Sequence, residues 1–133
     1  MIYLFKQTLN RNIFFALCFL FISKLTLGQV AVVELFTSEG CDVCPAADDL
    51  LNKISKEAEG KGNAVYVMEY HVDYWNRLGW HDPFSKFQFT TRQENYSRVL
   101  PEKKLFTPQV VINGSYELVG NNEKEIREQI KKC

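Results

Sequence analysis

Two cysteines with two residues between them, Cys41 and Cys44, are the residues of this 133-residue chain best suited to chemistry. Such a C-x-x-C pair can form a redox-active disulfide, can supply two soft ligands to copper(I) or zinc, or can be a structural cross-link. A cross-link stabilises a fold most when it closes a long loop, and this pair closes a very short one. The spacing therefore favours redox chemistry over a structural disulfide.

The start of the chain predicts export, which would place the cysteines where disulfides persist. Lys6 and Arg11 precede an uninterrupted apolar run over 13–22, and small residues follow before a cleavage site. This three-part pattern predicts a signal peptide over 1–28, a domain over 29–133 and a secreted or periplasmic location. The apolar run is shorter than the ~20 residues of a membrane span, so we expect membrane contact only through an uncleaved N-terminal segment.

The composition is that of a globular domain, with 46% apolar and 14% aromatic residues. The chain has 16 basic and 16 acidic residues, so no excess of positive charge predicts nucleic acid as a partner. We expect the partners to be protein thiols or disulfides in an exported compartment. A C-x-x-C pair carries electrons itself, so we expect no organic cofactor.

The segments on either side of the cysteines read as a strand and a helix. The apolar run Val30–Phe36 predicts a buried strand. Apolar residues at spacings of three and four predict an amphipathic helix that begins at or near Cys41 and ends at Gly60, with acids such as Asp48 on its polar face. Pro45 fits the first turn of this helix, where its missing N–H has no partner to lose.

The rest of the chain predicts five further elements. They are strands over 64–71, 109–112 and 115–119 and helices over 91–100 and 123–132. Thr91 and Glu94 fit a capping box, and Asn113-Gly114 fits a two-residue hairpin turn. The resulting order, β-α-β-α-β-β-α, is that of a thioredoxin-like α/β fold with a central mixed sheet and helices on both faces.

The start of the first helix gives the two cysteines different roles. Unpaired N–H groups and a partial positive charge favour the thiolate of Cys41, which is the predicted nucleophile. Cys44, one turn along, is the predicted resolving cysteine, and Gly40 leaves room for a partner beside the nucleophile. Glu39 and Asp42 oppose the helix dipole, so the sequence leaves the direction of the redox reaction open.

One acid, Glu34, interrupts the apolar run of the first strand. A carboxylate in such a strand is costly unless it is paired or protonated. Glu34 is therefore a candidate catalytic residue, placed beneath the helix start, where it would accept the proton of Cys44. The alternative is that this side of the strand is exposed to solvent, and the sequence does not decide between them.

A copper(I) site is the alternative use of the same cysteines. His71 closes the second strand at the same end of the sheet and would supply a third ligand. The alternative function is thus a copper(I)-binding or copper-delivery protein. A histidine at a strand end is more often a structural residue.

The loop over residues 73–85, here called the aromatic loop, carries Tyr74, Trp75, Trp80 and Phe84. These side chains either pack as a small second core over the end of the sheet that bears the cysteines, or form an exposed platform for a partner protein. The sequence favours the first arrangement.

Three motifs in order resemble those of an exported thioredoxin-like family of unknown function. They are ELFTSEGCDVCP over 34–45, VDYWNRLGWHDPF over 72–84 and TPQVVING over 107–114. The chain is thus similar to the thioredoxin superfamily and, more narrowly, to that family, whose members tend to be longer. The resemblance implies a thioredoxin fold, an exported setting and a redox-active C-x-x-C pair.

The resemblance also implies a cis peptide bond between Thr107 and Pro108, which would present backbone groups to a substrate chain. Thr107 and Pro108 are therefore candidate substrate-binding residues together with Gly40. Two features depart from thioredoxin itself. The W-C-G-P-C motif is missing, and Glu34 lies one residue farther from the first cysteine than the buried acid there.

Overall fold

The computed structural model describes residues 30–133, so the predicted signal peptide over 1–28 lies outside the described residues. The described chain contains four strands and three α-helices. They are β1 (Val30–Thr37), α1 (Cys44–Glu59), β2 (Ala64–His71), α2 (Phe87–Val99), β3 (Gln109–Ile112), β4 (Tyr116–Val119) and α3 (Glu123–Ile130). Within this range, no helix has the length and apolar character needed to cross a bilayer.

The four strands form one mixed sheet in the order β2-β1-β3-β4. Strand β1 runs parallel to β2 and antiparallel to β3, and β3 pairs antiparallel with β4. The predicted order of elements and the mixed sheet are confirmed, and the architecture is consistent with a thioredoxin-like fold.

Alternate residues of β1 serve two separate cores, because successive side chains of a strand point to opposite faces. Val33 belongs to the larger core, together with Leu51 of α1 and Ile126 of α3. Phe36 belongs to the smaller core on the other face, against which Tyr96 of α2 packs. Helices therefore cover both faces of the sheet, as predicted.

The hairpin between β3 and β4 turns at Asn113-Gly114, as predicted. Both residues have positive φ, 48° and 64°, which is the conformation that this dipeptide tolerates in a two-residue turn. The Asn113 side chain also accepts a hydrogen bond from Val32 N at 2.8 Å. The turn residue thus secures the hairpin to β1.

Helix α1 begins at Cys44, later than the predicted start at or near Cys41. Residues 41–44 form a turn, in which Cys44 N donates to Cys41 O at 3.2 Å. Pro45 lies in the first turn of the helix, as predicted. Cys41 therefore lies just ahead of the helix N-terminus rather than inside the helix.

Helix α2 begins at Phe87, earlier than the predicted start at Thr91, and the predicted capping box is wrong. Lys86 N donates to His71 O at 3.1 Å, which ties the residue before the helix to the end of β2. Phe89 packs against an aromatic ring of β2 at a centroid distance of 5.1 Å. These tertiary contacts add a turn that local sequence does not predict.

Candidate active site

Cys41 and Cys44 are joined by a disulfide, with their Cα atoms 5.4 Å apart. Both residues are buried, with 1% and 0% of their surface exposed. Cys133 is the one free cysteine of the described range, and it is half-buried. Because Cys41 is nearly inaccessible in this conformation, exchange at its sulfur requires a local movement of its surroundings.

A tight turn positions Cys41 between the end of β1 and the start of α1. Cys41 N donates to Ser38 O, and Gly40 N donates to Ser38 Oγ, both at 3.1 Å. A Cβ added at Gly40 would lie 3.4 Å from the Cβ of Trp75. The space that the sequence predicts beside Gly40 is therefore bordered by the aromatic loop.

Asp82 joins the aromatic loop to residues 38–44, here called the cysteine segment, a role that could not be predicted from the sequence. Its carboxylate is fully buried and accepts hydrogen bonds from Glu39 N and Phe84 N, both at 2.9 Å, and it pairs with His71 Nδ1 at 2.7 Å. Burial alone would raise the pKa of Asp82, but these donors outweigh it and hold the pKa below its ordinary value. The charged carboxylate, here called the latch, therefore connects the cysteine segment, the end of β2 and the aromatic loop.

Two aromatic residues of the aromatic loop pack in a small core, and two others are exposed, so each of the two predicted arrangements holds for part of the loop. Tyr74 and Trp75 are half-buried and pack on the smaller core, as the favoured arrangement predicts. Trp80 and Phe84 are 60% and 59% exposed. The Trp80 indole donates to the Glu39 carboxylate at 3.1 Å, so one exposed ring lies beside the cysteine segment.

The peptide bond between Thr107 and Pro108 is cis, as the resemblance predicts. Thr107 Oγ1 accepts a hydrogen bond from Trp75 Nε1 at 2.8 Å. A Cβ added at Gly120 would lie 2.7 Å from Pro108 Cβ and 3.1 Å from Ala47 Cβ. Gly120 thus allows Pro108 to pack beside the first turns of α1, a requirement that the sequence analysis did not identify.

Glu34 lies on the opposite face of the sheet from α1, so its observed position differs from the predicted one beneath the helix start. Side chains alternate along β1, and Val33 and Leu35 take the α1 face. Glu34 is 4% exposed and accepts hydrogen bonds from Arg92 Nε and Nη2 at 2.5 and 2.8 Å and from Tyr96 OH at 2.7 Å. It is neither solvated nor close to α1, but paired with α2.

Asp48, unlike Glu34, belongs to α1 and has a buried carboxyl oxygen on that face of the sheet. It follows Cys44 by four positions, so the two side chains are neighbours on the helix surface. Asp48 Oδ1 and Thr37 Oγ1 are buried, and neither makes a hydrogen bond to the described residues. Burial raises the pKa of Asp48, while the Thr37 hydroxyl and the His71 ring oppose that rise. Asp48 is not among the site residues predicted from sequence, because its charge assigns it to the polar face of the predicted helix.

The described part of the chain offers no set of ligands for the predicted alternative, a copper(I) site. Residues 30–133 contain no group of three or more histidine, cysteine or acidic side chains arranged to hold a metal ion. His71, the predicted third ligand, instead pairs with Asp82.

These features together define a class of protein. It is an α/β domain with a mixed sheet, a C-x-x-C disulfide at the start of a helix and a cis-proline beside that helix. The chain belongs to the family described as "Protein of unknown function (DUF1223)", which matches residues 32–133. The predicted resemblance to a family of unknown function is confirmed to this extent.

The chain is also similar to a protein from Agrobacterium tumefaciens whose structure was determined by X-ray crystallography. The two are 39% identical and superpose with a TM-score of 0.68. The match covers 77% of this chain and 44% of that one, so this chain spans less than half the length of its relative. A comparison with curated proteins gives no significant match. The relatives therefore support the fold and the family.

Proposed function

We propose that the protein is a thiol–disulfide oxidoreductase of the thioredoxin superfamily, with Cys41 as the nucleophile and Cys44 as the resolving cysteine. The observation that carries this proposal is the disulfide between these residues at the start of α1. The N-terminus of a helix stabilises negative charge, so it favours the thiolate that thiol–disulfide exchange requires.

The reaction follows two exchange steps. The Cys41 thiolate attacks one sulfur of a partner disulfide, which forms a mixed disulfide and releases one partner thiolate. The Cys44 thiolate then attacks Cys41 Sγ, which re-forms the Cys41–Cys44 bond and releases the second partner thiolate. The partner gains two electrons and the cysteine pair loses them, and the reverse sequence oxidises a partner dithiol.

The groove that binds a partner peptide would lie between the cysteine segment and the cis-proline, Pro108. Pro108 packs beside α1, and Thr107 is held by the Trp75 indole. We assign Thr107, Pro108 and Gly40 to this groove, where their backbone groups would meet a peptide. Since Cys41 is buried, we expect a partner to displace part of the aromatic loop as it binds.

The proposed partners are protein thiols or disulfides in an exported compartment. The signal pattern over residues 1–28 supports export, because it has a basic start, an apolar run and small residues before a cleavage site. Fusion of residues 1–28 to a reporter enzyme that is active only after export tests this part. Reporter activity that depends on the apolar run supports export, and reporter retained in the cytoplasm would contradict it.

Cysteine variants test the proposed activity in an insulin-reduction assay. Cys41→Ser should abolish exchange, because the attacking thiolate is lost. Cys44→Ser should accumulate a mixed disulfide with the substrate, because the resolving thiol is lost. Cys133→Ser is the matched control and should behave like the parent protein. Full activity of Cys41→Ser would overturn the proposal.

A further inference from the structure

We propose that Asp48 accepts the proton of Cys44 when this cysteine resolves the mixed disulfide, an inference that rests on the proposed function. The sequence offers Glu34 for this role, but Glu34 lies on the other face of the sheet and is bound to Arg92 and Tyr96. The acceptor must therefore come from the α1 face.

The position of Asp48 on the helix suits the role. Residues four apart on a helix have their Cβ atoms about 5–6 Å apart, so Asp48 lies one turn beyond Cys44 on the same side. Cys44 is fully buried, and one oxygen of Asp48 is buried as well. From this spacing we infer that the carboxylate lies within reach of the thiol, directly or through one water molecule.

Asp48 also has a free site for a proton. Glu34 and Asp82, the buried carboxylates described above, have their oxygens occupied by hydrogen-bond donors. Asp48 Oδ1 makes no hydrogen bond to the described residues. The nearby Thr37 hydroxyl lowers the pKa of Asp48 but does not complete a hydrogen bond to it, so this oxygen keeps a free position. A buried carboxyl oxygen without a donor is costly, and catalysis is one of the few reasons for keeping it.

The surrounding charges adjust Asp48 toward proton exchange with a thiol. Burial raises its pKa most, Thr37 and His71 lower it, and Asp49 adds to the rise. Glu69 of β2 also has a raised pKa, caused first by burial and then by Asp48. A carboxyl group with a raised pKa is a better proton acceptor and donor near neutral pH than an ordinary one.

The proposed step transfers one proton and exchanges one disulfide bond. The S–H bond of Cys44 breaks and its proton passes to the Asp48 carboxylate. The Cys44 thiolate then attacks Cys41 Sγ, the new Cys41–Cys44 bond forms, and the mixed disulfide bond to the partner breaks. The partner leaves as a thiolate, and the Asp48 carboxyl group later returns its proton to water.

The two half-reactions can be followed separately with an aromatic disulfide that releases a coloured thiolate. The full chain is used with Cys18 and Cys133 replaced by serine and with the Cys41–Cys44 disulfide reduced and the reductant removed beforehand, so that only the C-x-x-C dithiol reacts. Attack by Cys41 releases the first coloured equivalent, and resolution by Cys44 releases the second. Rapid mixing over a series of pH values gives a pH profile for each step.

Asp48→Asn should slow the second release by about a hundredfold near pH 7, the scale of general base catalysis, and leave the first release unchanged. The two proteins should converge at alkaline pH, where Cys44 ionises without an acceptor. Asp49→Asn is the matched control, because Asp49 is adjacent, exposed and equally charged. Of the four influences on the pKa of Asp48, the charge of Asp49 is the smallest. Asp49→Asn should therefore keep the parent rate of the first release and change the second release far less than Asp48→Asn does.

An unchanged second release in Asp48→Asn, or an equal slowing by Asp49→Asn, would overturn the inference while leaving the proposed function intact. A merely structural role of Asp48 would shift both phases without changing the shape of the pH profile, and that result also counts against the inference. A first release in Cys41→Ser that is as fast as in the parent protein would overturn the proposed function itself, because only a slow release from the remaining, buried Cys44 thiol is expected there.

Discussion

Replacement of Asp82 by alanine should open the aromatic loop over the C-x-x-C disulfide. The buried Asp82 carboxylate accepts hydrogen bonds from Glu39 N and Phe84 N and pairs with His71. Truncation removes the acceptor for both backbone donors and leaves His71 without its partner. The aromatic loop then loses the latch that joins it to the cysteine segment.

The size of the expected loss in the free energy of unfolding follows from these three contacts. Hydrogen bonds to a charged group contribute about 1.5–3 kcal/mol each, and donors that reach water after the loop opens recover part of the loss, so we expect the free energy of unfolding to fall by about 3 kcal/mol. The pKa of Asp82 is held below its ordinary value. This stabilisation is therefore fully present above about pH 4, the ordinary aspartate pKa, and disappears as the pH falls through the lower pKa of the folded protein.

Two measurements check this prediction. Urea unfolding gives the stability loss, which should shrink in acid as Asp82 of the parent protein becomes protonated. The rate at which a small phosphine reduces the native disulfide gives its accessibility. If the full 3 kcal/mol favours the open loop, this rate should rise by about a hundredfold, since about 1.4 kcal/mol corresponds to a factor of ten.

Asp49→Ala is the control, because Asp49 is exposed on α1 and takes no part in the latch. It should match the parent protein in both measurements. If Asp82→Ala is as stable as this control and its disulfide is reduced at the parent rate, the Asp82 carboxylate does not hold the loop.

Two further substitutions test contacts around the sheet. Arg92→Met should lower the free energy of unfolding by about 1–2 kcal/mol, because Glu34 then keeps only its hydrogen bond from Tyr96. The Arg92 side chain is 45% exposed, which limits the loss. Urea unfolding measures this loss, and the rate of insulin reduction should stay at the parent value. Gly120→Ala should lower the free energy of unfolding by about 1–3 kcal/mol, because the added Cβ would lie 2.7 Å from Pro108 Cβ. It should also slow insulin reduction, because the clash would shift Pro108 in the proposed partner groove. Thermal unfolding and the insulin assay check the second substitution.

Each of these variants has a matched control. Arg98→Met removes another basic side chain of α2 that is exposed, and it should retain parent stability. Gly60→Ala places a Cβ 3.6 Å from its nearest neighbour in the described chain, the Lys56 carbonyl oxygen, at a φ of −61° that alanine adopts easily. A loss in either control as large as in its test variant would show that the contact is not responsible.

The order of the elements could be predicted because its signals are local. An apolar run marks β1, and Asn113-Gly114 supplies the positive φ values that a two-residue hairpin needs. The start of α2 could not be predicted in the same way. It depends on the bond from Lys86 N to His71 O, which forms only after β2 is in place.

The surroundings of the cysteines were less predictable than the cysteines themselves. The apolar run identifies β1 as a strand, but the side on which α1 packs decides that Glu34 points away from the disulfide. Asp48 looks like a surface acid in the helical pattern, although one of its oxygens is buried. Asp82 depends on Glu39, 43 positions away, and such long-range pairs leave no periodic signal.

The reduction potential of the Cys41–Cys44 pair tests the proposed function most directly. It is obtained from the fraction of reduced pair in a series of glutathione buffers, by alkylation and mass spectrometry. A redox-active pair should exchange reversibly, with a potential between about −270 and about −120 mV, the range of thioredoxin-like oxidoreductases. A potential below about −300 mV, typical of structural disulfides, would contradict the proposed function.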